Sequence, residues 1–158
     1  MKSQPTSNGL DAVDLALLAE LSKNAELTNK ELARRVGVAE STCAYRVRQL
    51  RASNVIESIR AQLNLAALGY PVQAVISVRL GSHNQQLVTE FSDAVAAVPR
   101  VLQVFHVAGS SDFLVHVAVQ DTQALRDIVL EHITAHRAVR QAETHIAFDV
   151  RPGVGVLP

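Results

Sequence analysis

Up to about residue 52 the apolar positions of this chain recur at helical spacing. After Pro71 they fall into β-branched runs separated by amphipathic stretches. The first helix is predicted over Leu10–Leu21, with Asp11 as its N-cap and Leu15, Leu18, Leu21 and Val13 or Leu17 on an apolar face. Thr28-Asn29-Lys30-Glu31 has the Ser/Thr-x-x-Glu spacing of a capping box and opens a short helix over Asn29–Val36. Leu32, Ala33 and Val36 share one face of it, and Gly37 ends it, because glycine reaches the left-handed conformation of a helix C-terminus. A third helix follows over Glu40–Ala52, with Cys43, Val47 and Leu50 at the i, i+4, i+7 positions of a packed face. Asn54 stands where a left-handed residue would close it. Val55–Gln62 alternates as a wing strand does, and Asn64–Gly69 reads as a linker with room for one helical turn.

Beyond Pro71, strands are predicted over Val72–Leu80, Val101–Ala108, Phe113–Val119 and Val139–Val150. Helices are predicted over Gln85–Val98 and Thr122–Thr134, the latter capped by Asp121 or Thr122. The order β-α-β-β-α-β is that of the ferredoxin-like split βαβ unit. The expected class is therefore α+β: an N-terminal winged helix-turn-helix over 1–58, a linker over 59–69, a βαββαβ domain over 70–150 and a tail over 151–158. Val101–Val107 is apolar on both faces, yet only two helices are available to cover the sheet. A partner subunit's sheet is the expected second cover, which predicts an obligate homodimer, with closed tetramers or octamers as larger assemblies.

Composition narrows the function classes. With 158 residues and 48% apolar content the chain suits one ordinary domain or two small ones and is not wholly disordered. The polar start, Met1–Gly9, has no signal-peptide core, and no apolar run approaches the roughly 20 residues of a membrane span. A single cysteine forbids an internal disulfide and points to a reducing cytoplasm. The formal net charge of zero hides a segregation. Residues 32–60 carry six Arg against Glu40 and Glu57, a balance of +4, whereas residues 63–158 carry six Arg against eight acids, a balance of −2. A basic head on a neutral body is the expected footprint of a protein that binds double-stranded DNA.

On the third helix, a turn of 100° per residue from Cys43 places Ser41, Thr42, Tyr45, Arg48 and Gln49 opposite the packed face. Those side chains suit base edges and phosphates; the bland alternative is a solvated face. Arg46 falls on the shoulder, placed for a phosphate or for a carboxylate of its own domain, and Arg60 in the wing suits the DNA backbone. Cys43 points inward and reads as a small buried hydrophobe rather than a redox switch. Six histidines raise a metal or haem hypothesis, with His106 and His116 on adjacent strands and His132 and His136 at i, i+4. There is no H-E-x-x-H and no cysteine pair, so surface or interface histidines are the expectation, with neither metal nor other cofactor. Neither a nucleophile–base pair nor a phosphate loop supports ordinary catalysis.

Four segments in order resemble the Lrp/AsnC, or feast/famine, family of transcription regulators. They are Leu10-Asp11-x-x-Asp14, Ser41 to Leu50 with its Arg46-Val47-x-x-Leu50, Asn64 to Gly69, and Val107-Ala108-Gly109-Ser110-Ser111-Asp112-Phe113. The resemblance spans about Leu10 to Val150. It departs at Ala39, where a serine N-cap is usual, at Asn54 and Leu65, where glycine and proline are usual, and at Arg137-Ala138, before the last strand. It implies a regulator whose DNA binding responds to a small effector, an amino acid, held between C-terminal domains. By the same resemblance, Val107, Ala108, Gly109, Ser110, Ser111, Asp112 and Phe113 form the effector loop, with Asp112 on the ammonium, loop amides on the carboxylate and Thr144 as a further polar contact. The residues alone also allow a plain hairpin turn with glycine and aspartate in turn roles. Two other functions share this architecture: a sirohaem decarboxylase-like enzyme using body histidines, and an architectural DNA-binding protein without an effector.

Overall fold

Two capping boxes open the first two helices. In the computed structural model, which describes residues 9–82 and 84–157, helix α1 spans Ala12–Lys23, α2 Asn29–Val36 and α3 Glu40–Ala52. The polar start at residues 1–8 and His83 lie outside the described residues. Asp11 accepts from the Val13 and Asp14 amides, and Asp14 returns a bond to the Asp11 N–H. Thr28 and Glu31 reciprocate in the same way at α2. Ala39 gives α3 no side-chain cap. Gly37 ends α2 at φ 78°, and Asn54 follows α3 at φ 58°, where the Asn54 and Val55 amides turn back to the Arg51 and Leu50 carbonyls. Leu17, Leu32, Ala33, Cys43 and Val47 form the helical core, with Val13 and Leu21 packed against it. Leu17, with Val13 and Leu21 one turn on either side, therefore centres the buried stripe of α1; Leu15 and Leu18 lie at its margin.

The strand expected over Val55–Gln62 does not form. Residues 57–64 carry no regular structure, and no described residues pair with them as a ladder. Val55 and Ile56 both donate to the Leu50 carbonyl, so their amides close α3 instead of opening a strand. The linker does contain one turn, in which the Ala67 N–H donates to Asn64 Oδ1 and the Tyr70 N–H to the Leu65 carbonyl.

The chain divides into two compact units, Leu63–Arg151 forming the second, while residues from Pro152 onward group with the first. The second unit contains β1 (Val72–Leu80), α4 (Gln85–Ala96), β2 (Val101–His106), β3 (Phe113–Val119), α5 (Thr122–Ile128) and β4 (Val139–Ala147). Its four strands form one antiparallel sheet in the order β2-β3-β1-β4, as the split βαβ unit requires. Alternation sorts each strand into two faces. Ala74, Ile76, Val78 and Leu80 of β1 and Phe113, Val115, Val117 and Val119 of β3 pack on Phe91 and Val95 of α4 and on Leu125 and Ile128 of α5. Each such side chain contributes roughly 1.5–3 kcal/mol by leaving water. β2 stops at His106 and β4 at Ala147, earlier than periodicity suggested. The helix expected over Thr122–Thr134 forms over that span, α-helical to Ile128 and π-helical over Val129–Thr134.

Candidate DNA-binding face and effector pocket

Burial divides α3 along its length. Cys43, Val47 and Leu50 face the core, while Ser41, Thr42, Tyr45, Arg48 and Gln49 are exposed, Tyr45 at 56%. Thr42, Tyr45 and Gln49 also line an open cleft of about 560 Å³ against the start of α1. Arg46 behaves differently. Its Nη1 donates to Asp11 Oδ2 at 2.7 Å and to Asp14 Oδ1 at 2.9 Å, so this guanidinium clamps α3 to the N-terminus of α1. The Asp14 amide and then Arg46 hold the Asp11 carboxyl below its ordinary range. Arg46 thus makes the carboxylate contact that its shoulder position allows. Arg60 is exposed beside an apolar hollow lined by Leu18, Leu21, Val55 and Ile59. Burial pushes the Cys43 thiol up, which disfavours the reactive thiolate.

In the second unit, bonds at both ends fix the β2–β3 loop. The Val107 N–H donates to the Asp112 carbonyl at 2.9 Å, and the Asp112 N–H to the Val78 carbonyl at 2.9 Å. Asp112 Oδ2 accepts from the Leu80 N–H at 2.7 Å. Gly109 sits at φ 146°, and a Cβ there would meet nothing within 4 Å, so its backbone angle and not crowding favours glycine. Ser110 and Ser111 line a pocket of about 180 Å³ with Ser77, Arg79, Gln141 and Glu143. The cross-strand pairs Ser77↔Glu143 and Arg79↔Gln141 place those four on the sheet face opposite the helices.

The other residues of the expected effector set lie outside this pocket. Phe113 is fully buried, with its ring centroid 5.0 Å from that of Phe91 and stacked under His106, so it belongs to the core. Thr144 pairs with Ile76 on the helix side and lines a separate hollow with Thr122, Leu125, Arg126, Val129 and Leu130. Val107 is half-buried and Ala108 exposed, and neither is among the residues lining the pocket. The sequence did not single out Ser77, Arg79, Gln141 and Glu143 as neighbours of the loop. Their polar side chains at alternate strand positions were visible, but only the β1–β4 register brings them under the loop.

The described histidines do not converge on one site. His106 lies on Phe113 on the helix side, whereas His116 faces the other way and meets Gln73 Oε1 at 3.0 Å. Burial pushes the His116 pKa down. His136 packs edge-on against Phe91. Among the described residues no group of three or more His, Cys, Asp or Glu could hold a metal, and no helix is long and apolar enough to cross a membrane.

The family model of the Lrp/AsnC ligand binding domain matches residues 73–151, and that of a winged helix-turn-helix DNA-binding unit matches residues 10–57. The chain belongs to the Lrp/AsnC family. It is 36% identical over 148 residues to the HTH-type transcriptional regulator AldR of Mycolicibacterium smegmatis, covering 94% of this chain and 86% of that protein. It is 37% identical over 135 residues to the leucine-responsive regulatory protein of Rhizobium meliloti, covering 85% and 86% respectively. A transcriptional regulator of Neisseria meningitidis, solved as its complex with L-Met, superposes with a TM-score of 0.86 at 28% identity, covering 94% of this chain and 96% of that one. These Lrp/AsnC relatives are named as regulators, and the enzymatic alternative is set aside on that ground.

Proposed function

We propose that this protein is a sequence-specific transcription regulator whose hold on double-stranded DNA is altered by a small effector, a free amino acid. The observation that carries the first half is the outward row Ser41, Thr42, Tyr45, Arg48 and Gln49 on a helix seated by Cys43, Val47 and Leu50. A second helix docked in the major groove through such a row reads base edges, while Arg60 contributes charge to the phosphate backbone. Supporting the second half are the match to a ligand-binding domain and the polar pocket at Ser110 and Ser111. That an amino acid fills it draws on the L-Met complex of the Neisseria relative. At about 180 Å³ the pocket is smaller than the roughly 300–1,000 Å³ of drug-sized sites, which suits a free amino acid and not a tetrapyrrole.

In this reading residues 1–58 are the DNA head, 59–69 the linker, 70–150 the effector and assembly domain and 151–158 the tail, and the protein works in the cytoplasm. The sheet face away from the helices presents Val75, Leu114 and a 47%-exposed Phe105, and a second copy covers it. Dimers then assemble to tetramers or octamers that present several heads. Effector binding shifts the population of body-domain packings and with it the spacing of the heads. The test is a thermal-shift screen of the twenty amino acids followed by footprinting on the gene's own upstream DNA. A protected site whose occupancy changes with a stabilising amino acid is the expected result. Protection indifferent to every amino acid would instead make this an architectural DNA-binding protein.

A further inference from the structure

We infer that the segment after Arg151 is a strap: it seats Leu157 in an apolar hollow of the first unit and braces the stretch that carries Arg60. The strap goes beyond the function proposed above and draws on its DNA-binding half only for the part played by Arg60.

Residues from Pro152 onward group with the first unit, although they follow the last strand of the second. The hollow, of about 460 Å³, is lined by Leu18 and Leu21 of α1, by Val55, Ile56 and Ile59 after α3, and by Leu157. All of these belong to the first unit.

Exposure along the segment singles out one side chain. Val154 and Val156 are fully exposed, whereas Leu157 is half-buried. Contact without a seat would not choose one of three neighbouring apolar residues. Gly155, at φ 84°, bends the segment just before Leu157 in a backbone conformation that costs glycine little. A Cβ there would meet nothing within 4 Å, so glycine serves the bend and not a close approach. The end of a chain is held in place only where something ties it down, and Leu157 is the tie.

The stretch on which Leu157 acts has little else to fix it. Residues 57–64 carry no regular structure, and no strand among the described residues bonds to them. Ile59 is 48% exposed. Apolar contact with Leu157, driven by release of water, stands in for the missing ladder. It also accounts for an apolar residue at position 18, which lies at the margin of the buried stripe of α1 and lines the hollow. Arg60 lines the hollow too. With its backbone steadied, that long cation has less freedom to lose when it meets a phosphate.

A cross-link on the full chain tests the strap. Ala25 lines the hollow and Val156 is exposed beside Leu157, so Ala25→Cys with Val156→Cys puts two reactive thiols at the seat while the native Cys43 stays buried. A short bismaleimide should join them within one chain, as mass spectrometry of mixed isotope-labelled and unlabelled chains reports. Adding Leu157→Ser should cut the yield fivefold or more, and adding Leu157→Met should preserve it. No link, a link only between chains, or a yield indifferent to Leu157→Ser would overturn the strap. For Arg60, Leu157→Ser alone should weaken binding to upstream and scrambled duplexes alike, threefold or more by anisotropy. The same change should add little once Arg60→Ala is present. Equal losses in both backgrounds, or none in either, would overturn the bracing of Arg60. A wild type that binds neither duplex would overturn the DNA-binding reading and the part of Arg60 with it, while the cross-link still decides the strap.

Discussion

The carboxylate of Asp112, in the β2–β3 loop, accepts the Leu80 backbone N–H at 2.7 Å, tying the loop to the end of β1. With the Asp112 N–H on the Val78 carbonyl, this bond holds Ser110 and Ser111 over Ser77 and Arg79. The aspartate of the loop motif is thus a strut that builds the pocket. Asp112→Ala should lower the stability of the C-terminal unit by about 1–3 kcal/mol, measured by urea denaturation. Asp112→Asn, which keeps an oxygen acceptor, should cost less and retain much of the effector response. Equal loss of response in both variants, with stability unchanged, would return Asp112 to the ligand.

Left-handed backbone makes a second prediction. Asn54 at φ 58° closes α3, and Gly109 at φ 146° lies in open space. Asn54→Gly should be neutral or stabilising, whereas Asn54→Val should cost roughly 1–2 kcal/mol. Gly109→Ala should cost about 1–3 kcal/mol through backbone strain alone. A branched residue at 109 should add little to that, since no neighbour crowds the site. Melting temperatures of the set decide it.

Arg46 and Arg48, two residues apart on α3, should fail in different ways. Arg46→Ala removes the clamp on Asp11 and Asp14, lowering the melting temperature of the head and weakening all DNA binding only as far as the head loosens. Because the folded Asp11 carboxyl lies below its unfolded value of about 3.9, its contribution is present above that pH and is lost as pH falls through the folded value. The stability gap between wild type and Arg46→Ala should therefore be full at neutral pH and close under strongly acidic conditions. A gap that widens on acidification would contradict the clamp.

Arg48→Ala should cost about 1–3 kcal/mol on the true operator and much less on scrambled DNA, as loss of a base contact does. Arg60→Ala should weaken both alike and flatten the salt dependence, as loss of a phosphate contact does. Anisotropy titrations at two salt concentrations separate the two patterns.

Much of this was legible in sequence where the determinants are local. Thr28 with Glu31, Asp11, Gly37 and Asn54 each fix a helix end within a few residues of themselves, and all four act as the sequence predicts. The buried row Cys43, Val47 and Leu50 follows from helical period alone. What failed depends on non-local pairing. The alternation of Val55–Gln62 resembles a strand, but a strand exists only if a neighbour bonds to it, and Val55 and Ile56 bond back to Leu50. Thr144 and Glu143 are adjacent in sequence, and the β1–β4 register sends them to opposite faces, one to α5 and one to the pocket. Arg79 likewise gained its place only through that register. The polarity of its strand position was visible, but the company it keeps was not.

An amino acid bound to the C-terminal domain should change how tightly the head holds its operator. The most direct test titrates wild-type protein onto fluorescent DNA from its own upstream region, with and without each of the twenty amino acids, at fixed salt. A lateral shift of the binding curve is expected with at least one of them, on the specific DNA but not on a scrambled duplex. Superimposable curves for all twenty on the specific DNA would contradict it.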